Sequence, residues 1–163
     1  MGGSRSITIV AGIAILVLVL DQVAKAIIVA AIGPDQANSS INVIGSWLSL
    51  EYVENRGAAF GLFSGAGPIL LVAAMVMLLV LAWSVLNSPE QSMFHIVAFG
   101  LILGGALGNL LDRVRHGFVV DFISVGWWPN FNLADSAICV GVLLMLFSWL
   151  VPGRQTLTLP TRH

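Results

Sequence analysis

Charge is what this chain most conspicuously lacks. Lys, Arg, Asp and Glu make up 9% of its 163 residues, against 58% hydrophobic residues; a soluble globular domain carries roughly 25% charged residues. So little polar surface cannot solvate a compact fold in water, and a mean hydropathy of +0.96 makes lipid the natural solvent. Seven basic residues against eight acidic ones leave a net charge of −1, which excludes the basic footprint of a nucleic-acid binder. Cys139 is the only cysteine, so an internal disulfide and a cysteine metal cluster are both excluded. Its place in an apolar run predicts a buried, inert thiol.

Long apolar runs are abundant instead. Residues 57–89 and 136–153 are uncharged, and 91–111 contain only His95 as a titratable group. A helix needs about 20 apolar residues to cross a hydrocarbon core roughly 30 Å thick, and all three stretches suffice. A fourth, at 7–32, is long enough but carries Asp21 and Lys25. Arg5 ahead of that run resembles the start of a secretory signal peptide, but the run outlasts a usual h-region and is read as a span. The expectation is an all-α membrane protein with four transmembrane helices at about 7–32, 68–87, 93–112 and 133–151, forming a single membrane domain over 1–155 with a tail at 156–163. All five tryptophans avoid the span centres, as suits an amphipathic ring that prefers the headgroup level.

The two larger loops have structure of their own. Leu48, Leu50 and Tyr52 alternate with Ser49 and Glu51, which predicts a two-faced strand, and residues 119–123 are also expected to be extended. A small β-containing region at one membrane face follows. Gly100, Gly104 and Gly108 recur every four residues, a spacing that lets a neighbouring helix approach closely. Gly57 is expected to permit a tight turn or a close backbone approach.

Alternating spans place the polar residues of four segments in one layer: Asp21 and Lys25, Asn55, Asn109 and Asp112 with Asp121, and Asn132 with Asp135. A carboxylate in a span costs at least about 2.5–3.5 kcal/mol on insertion scales and usually marks function. Asp21 and Lys25 are four residues apart and share a helix face, so they can pair. Asp112 has Arg113 and Arg115 beside it, whereas Asp121 and Asp135 have no neighbouring cation in sequence. The economical arrangement sets these two against each other, sharing a proton as in an aspartic protease. Two other readings fit the same residues: Asp135 capping the fourth helix with Asn132 as N-cap, or buried charges that conduct protons or ions. A histidine metal site fits poorly, because His95 and His116 lie about 30 Å apart along one helix.

The motifs resemble those of the bacterial lipoprotein signal peptidases, or signal peptidase II, along nearly the whole chain. Asp21-Gln22-Val23-Ala24-Lys25 looks like that family's first block and Asn55-Arg56-Gly57-Ala58-Ala59-Phe60 its second, with Gly61 where many members have Ser. The block running from Gly104-Gly105 to Asn109 and Asp112-Arg113, then Val120-Asp121-Phe122, resembles the third, and Phe131-Asn132-Leu133-Ala134-Asp135-Ser136 the last. The resemblance implies an intramembrane aspartyl endopeptidase that removes signal peptides from prolipoproteins, cutting before a diacylglyceryl-modified cysteine. It implies Asp121 and Asp135 as the catalytic pair, with Asp21, Lys25, Asn55, Gly105, Asn109, Asp112, Arg113 and Asn132 supporting the site. It further implies contact with membrane lipids, inhibition by globomycin-type cyclic peptides, and no metal or organic cofactor. The expected location is the bacterial cytoplasmic (inner) membrane, with both termini in the cytoplasm and the site on the extracytoplasmic side. Counting Lys and Arg alone leaves the orientation open, with Arg5, Arg154 and Arg162 facing Arg56, Arg113 and Arg115.

Overall fold

The computed structural model describes residues 3–36, 40–57 and 92–150 and, singly, Val72, Val76, Leu79 and Trp83. Three helices and four strands lie within them: α1 (Gly3–Ile32), β1 (Ser40–Ile44), β2 (Leu48–Asn55), α2 (Met93–His116), β3 (Val119–Val125), β4 (Trp128–Phe131) and α3 (Leu133–Leu150). α1 and α2 are long and apolar enough to cross a membrane. The span expected at about 68–87 falls outside the described residues except at those four positions, all helical and exposed. Residues Ala58, Ala59 and Phe60 of the second motif and the tail at 156–163 lie outside them too.

Capping chemistry fixes where α2 starts and stops. Ser92 caps α2, its hydroxyl accepting from the His95 N–H at 3.4 Å. At the other end Arg113, Arg115 and His116 occupy the last turn, where cations complement the helix dipole. Gly117, at φ 79°, then ends the helix in a left-handed conformation that glycine adopts without penalty. α2 therefore runs one turn past the expected end near residue 112, and Asn109 and Asp112 lie inside the helix. α1 is apolar on nearly every side. Ile15 and Ile27, each 61% exposed, face outward, while Asp21 and Lys25 are buried against the other helices.

Close approach fixes the packing. A Cβ on Gly100 would meet Ile13 Cβ at 2.6 Å, and one on Gly104 would meet the Ala14 carbonyl oxygen at 2.6 Å. The glycine stripe is thus where α1 lies on α2, with the two helices running in the same direction. Gly105 faces the opposite way, with no room for a Cβ against the Ala134 carbonyl; Gly141 of α3 returns the contact against Ile102 Cγ1 at 2.6 Å. α3 therefore runs antiparallel to α2. These contacts bring the C-terminal ends of α1 and α2 and the N-terminal end of α3 to one side.

The strands sit at that side. They form one antiparallel sheet in the order β1-β2-β3-β4, so the two larger loops pair with each other. Ser49 lies opposite Ser124, Leu50 opposite Ile123 and Asn55 opposite Val119, with an irregularity between Leu50 and Val53. The expected alternation holds in part: Leu50, Tyr52 and Ile123 pack with Phe122 against Ile28 and Ile32 of α1, whereas Leu48 is outside that cluster and Ser49, bonded to Glu51, is the buried residue of β2. The hairpin tips are joined, the Gly126 N–H donating to the Trp47 carbonyl at 2.8 Å.

Candidate active site

Three buried charges tie the helices together below the sheet. Lys25 Nζ lies 2.8 Å from Asp21 Oδ2 and 2.8 Å from Asp112 Oδ2. Asp21 is fully buried, and Lys25 and Asp112 are 4% and 2% exposed. Charges this deep persist only when paired and fully hydrogen-bonded. Here the second oxygens are also served: the Ala134 N–H donates to Asp21 Oδ1 at 3.0 Å and Gln22 Nε2 to Asp112 Oδ1 at 2.9 Å, while the Val120 N–H reaches Asp112 Oδ2 at 3.3 Å. The expected Asp21–Lys25 pair is present. Asp112, however, takes Lys25 as its cation rather than either arginine beside it in sequence.

Two asparagines carry this order to the next pair of carboxylates. Lys25 Nζ donates to Asn109 Oδ1 at 3.1 Å, which turns the Asn109 amide nitrogen toward Asp135 Oδ1, 2.7 Å away. Asn132 Nδ2 donates to Asp121 Oδ1 at 2.8 Å, and Asn55 Nδ2 to Asp121 Oδ2 at 2.8 Å. The N-terminus of α3 completes the set. The Asp135 N–H donates to Asn132 Oδ1 at 2.9 Å, and the Asn132 N–H returns to Asp135 Oδ2 at 3.3 Å, a reciprocal capping box. Asp135 is therefore a helix-capping residue as well as a neighbour of Asp121 through Asn132. The two roles coexist.

Both carboxylates line one cavity of about 550 Å³, with Asn55, Gly57, Arg113 and Asn130 among the other walls. The Gly57 N–H donates to Asn55 Oδ1 at 3.0 Å, closing a turn that aims the Asn55 amide nitrogen at Asp121. Burial raises the Asp121 carboxyl from its ordinary value to about 6, and the Asp135 charge pushes the same way; the bonds from Asn55 and Asn132 and the charge of Lys25 oppose the rise. A carboxyl near 6 exchanges its proton readily at neutral pH, as general acid–base chemistry requires. Lys25, with Arg113 on the cavity wall, supplies through space the positive charge that neither aspartate has in sequence.

All eleven residues singled out from the sequence gather at this end of the helices. Nine polar ones form the network or the cavity wall, the Gly57 N–H closes the Asn55 turn, and Gly105 seats α3 on α2. Cys139 departs from expectation: it is exposed and lines the cavity. It lies four residues beyond Asp135 and so shares its helix face, a spacing that was visible in the sequence. Gln22 and Asn130 were not singled out. Gln22 bridges Asp21 and Asp112, donating to Asp21 Oδ2 at 3.3 Å as well, and adjoins Asp21 in sequence; nothing in the local sequence distinguishes Asn130.

Known proteins share this arrangement of sequence and fold. The family model for signal peptidase (SPase) II matches residues 13–151. A protein of Syntrophomonas wolfei named lipoprotein signal peptidase is 44% identical over 144 residues, covering 86% of this chain and 92% of its own. One of the same name from Moorella thermoacetica is 43% identical, covering 88% and 93%. Two solved structures, each described as a bacterial membrane enzyme, superpose with TM-scores of 0.77 and 0.75 at 35% and 34% identity, covering 90% and 92% of this chain and 88% and 95% of theirs. The matched residues contain every member of the buried network and both cavity carboxylates, and the chain belongs to the signal peptidase II family.

Proposed function

We propose that this protein is an aspartyl endopeptidase that removes signal peptides from prolipoproteins, cutting before a diacylglyceryl-modified cysteine, with Asp121 and Asp135 as its catalytic pair. The observation that carries this reading is two carboxylates on one cavity, Asp121 buried and Asp135 half-buried, oriented by Asn55, Asn109 and Asn132. With one proton between them, the ionised member takes a proton from a water, which attacks the scissile carbonyl. The protonated member donates to the developing oxyanion, and collapse of the tetrahedral species delivers a proton to the leaving amine. Arg113 on the same wall moderates the repulsion between the pair. Asp21, Lys25 and Asp112 act from below, fixing Asn109 and the start of α3. The mechanism calls on no metal or organic cofactor.

The substrate's lipid fits the location. Cys139 and Val140 both line the cavity and are exposed on α3, so the cavity opens along the flank a bilayer would cover. Acyl chains bury about 0.8 kcal/mol per CH₂ and would hold the peptide at that level. Cyclic peptides of the globomycin type would occupy the same cavity. Because α1 and α2 are parallel, the chain has to return from the sheet end at Gly57 to the far end at Ser92. That geometry, with the helical positions 72, 76, 79 and 83, supports a fourth span within a single membrane domain over 1–155. We assign the protein to the bacterial cytoplasmic membrane, with the sheet and site on the extracytoplasmic side.

The test uses purified protein and a diacylated prolipoprotein peptide beside its unlipidated twin. Asp121→Asn and Asp135→Asn each lose nearly all cleavage, the double variant is little worse than either, because the pair acts as a unit, and the lipidated peptide is cut far better. Near-normal turnover in either single variant would sink the aspartyl mechanism; equal rates on both peptides would remove the lipid requirement.

A further inference from the structure

One polar side chain on the cavity wall has no part in the chemistry above. Asn130 lies on β4 and bonds across the sheet rather than along it. β2 and β4 flank β3 and stand two strand spacings apart, roughly 9.5 Å. Asn130 Nδ2 nevertheless donates to Glu51 Oε2 of β2 at 3.3 Å, over the face of β3. Ser49 Oγ donates to the other oxygen at 2.7 Å, and Ser124, opposite Ser49 in the register, adds a further bond. These bonds, that of Ser49 foremost, hold the Glu51 carboxyl below its ordinary range. A carboxylate only accepts, so the Asn130 amide is held one way round, nitrogen to Glu51. Its oxygen, Oδ1, has no partner among the described residues.

The cavity has two kinds of wall. Ser136, Cys139 and Val140 descend along α3, while residues 128–131 belong to the sheet at the helix ends. A signal peptide occupies the bilayer beside the helices, so the chain beyond the cleavage point has to leave past the sheet. We propose that Asn130 Oδ1 is a subsite accepting a backbone N–H from the mature side of the substrate, in the first two residues after the lipidated cysteine, and that Glu51 is the positioning residue that fixes the amide. This rests on the peptidase reading of the cavity. Neither residue touches the reacting atoms, so both act on substrate binding and spare the chemical step.

The experiment uses the full-length enzyme in lipid–detergent micelles. Three diacylated prolipoprotein peptides are compared: the all-amide form and two in which one backbone N–H, at the first or second residue after the cysteine, is replaced by an ester oxygen. In the wild type one ester lowers kcat/KM about twofold to twelvefold, the range for one hydrogen bond, through KM with kcat unchanged. Asn130→Ala loses the same factor on the all-amide peptide and no longer distinguishes that ester. Glu51→Ala loses part of the factor, and Glu51→Gln, whose side-chain oxygen still accepts from Asn130, restores it. An ester penalty as large in Asn130→Ala as in the wild type, at both positions, would overturn the subsite; so would wild-type KM in Asn130→Ala. A Glu51→Ala enzyme with wild-type KM would overturn the positioning role. Failure of the underlying peptidase reading looks different: cleavage of the all-amide peptide that survives in Asp121→Asn.

Discussion

Replacing Gly105 with Ala should damage catalysis out of proportion to the single methyl added. The new Cβ would collide with the Ala134 carbonyl and lie 2.9 Å from Ile138 Cγ1. The isoleucine can turn aside; the carbonyl is helix backbone and cannot. Relief therefore requires α3 to move off α2 by about 1 Å to regain normal contact distances near 3.5 Å. Ala134 lies between Asn132 and Asp135, so the capping box, the Asn109–Asp135 bond and the Ala134 N–H bond to Asp21 all move with it. Overpacking of this kind costs about 1–3 kcal/mol in stability, and a misplacement near 1 Å can cost on the order of 10²-fold in rate. Gly100→Ala is the matched control. It meets Ile13 Cβ at 2.6 Å about 7.5 Å nearer the start of α2, on the face packed against α1 rather than α3, and should lose similar stability with kcat nearly intact. Thermal unfolding in detergent and single-turnover cleavage of a diacylated peptide measure the two effects separately. Wild-type turnover in Gly105→Ala would refute the reasoning, and so would an equal rate loss in Gly100→Ala, which would trace the defect to general destabilisation.

Lys25→Met should destabilise the fold by about 3–5 kcal/mol, because it leaves Asp21 and Asp112 buried without their shared cation; an unchanged unfolding temperature would show that the trio contributes nothing net. Asn55→Ala should move the alkaline limb of the pH–rate profile to higher pH. Asn55 donates to the ionised form of Asp121 and holds its carboxyl down, so its loss raises that carboxyl and the shared proton is kept to higher pH; a limb that stays put or moves toward acid contradicts the assignment. For orientation, a cysteine at Trp127, 85% exposed at the sheet tip, in a Cys139→Ala background should react with a membrane-impermeant maleimide added to whole spheroplasts. Reaction only after lysis would place the sheet in the cytoplasm.

Much of the architecture was written in local pattern, and what was not depended on long-range partners. The alternation of Leu48, Leu50 and Tyr52 marks a strand because one of its faces is apolar, and the glycine stripe marks a helix contact because spacing alone sets its face. The partner of that strand lies some 70 residues on, and no local signal specifies which loop pairs with it. β4 has no local signal, because Pro129 and two aromatics in four residues show no alternation; its existence depends on pairing with β3. Hydropathy stops at Asp112 and so predicts an early end for α2, whereas the backbone stops at Gly117, where the capping chemistry is. Charge partners were the least legible. Arg113 and Arg115 adjoin Asp112 in sequence, but one lines the cavity and the other donates to Gln22 Oε1 at 3.4 Å, leaving Asp112 to a lysine on another helix. The cluster could be named from residue type and layer; its wiring could not.

The register of the sheet has a consequence for how the protein is made. β2 leaves the ribosome well before β3, so its hydrogen-bonding edge toward β3 waits, unpaired, while α2 is synthesised and inserted. β3 closes that edge, and Asp121 arrives with it, but Asp135 and the amide of Asn132 come only with the last helix. Contacts this distant in sequence form slowly. Until α3 inserts, the nascent chain holds all three charges of the buried cluster but only one carboxylate of the pair. With Asp121 and Asp135 as the proposed pair, proteolytic competence is coupled to completion of the membrane bundle, and a product truncated before α3 should cleave no substrate.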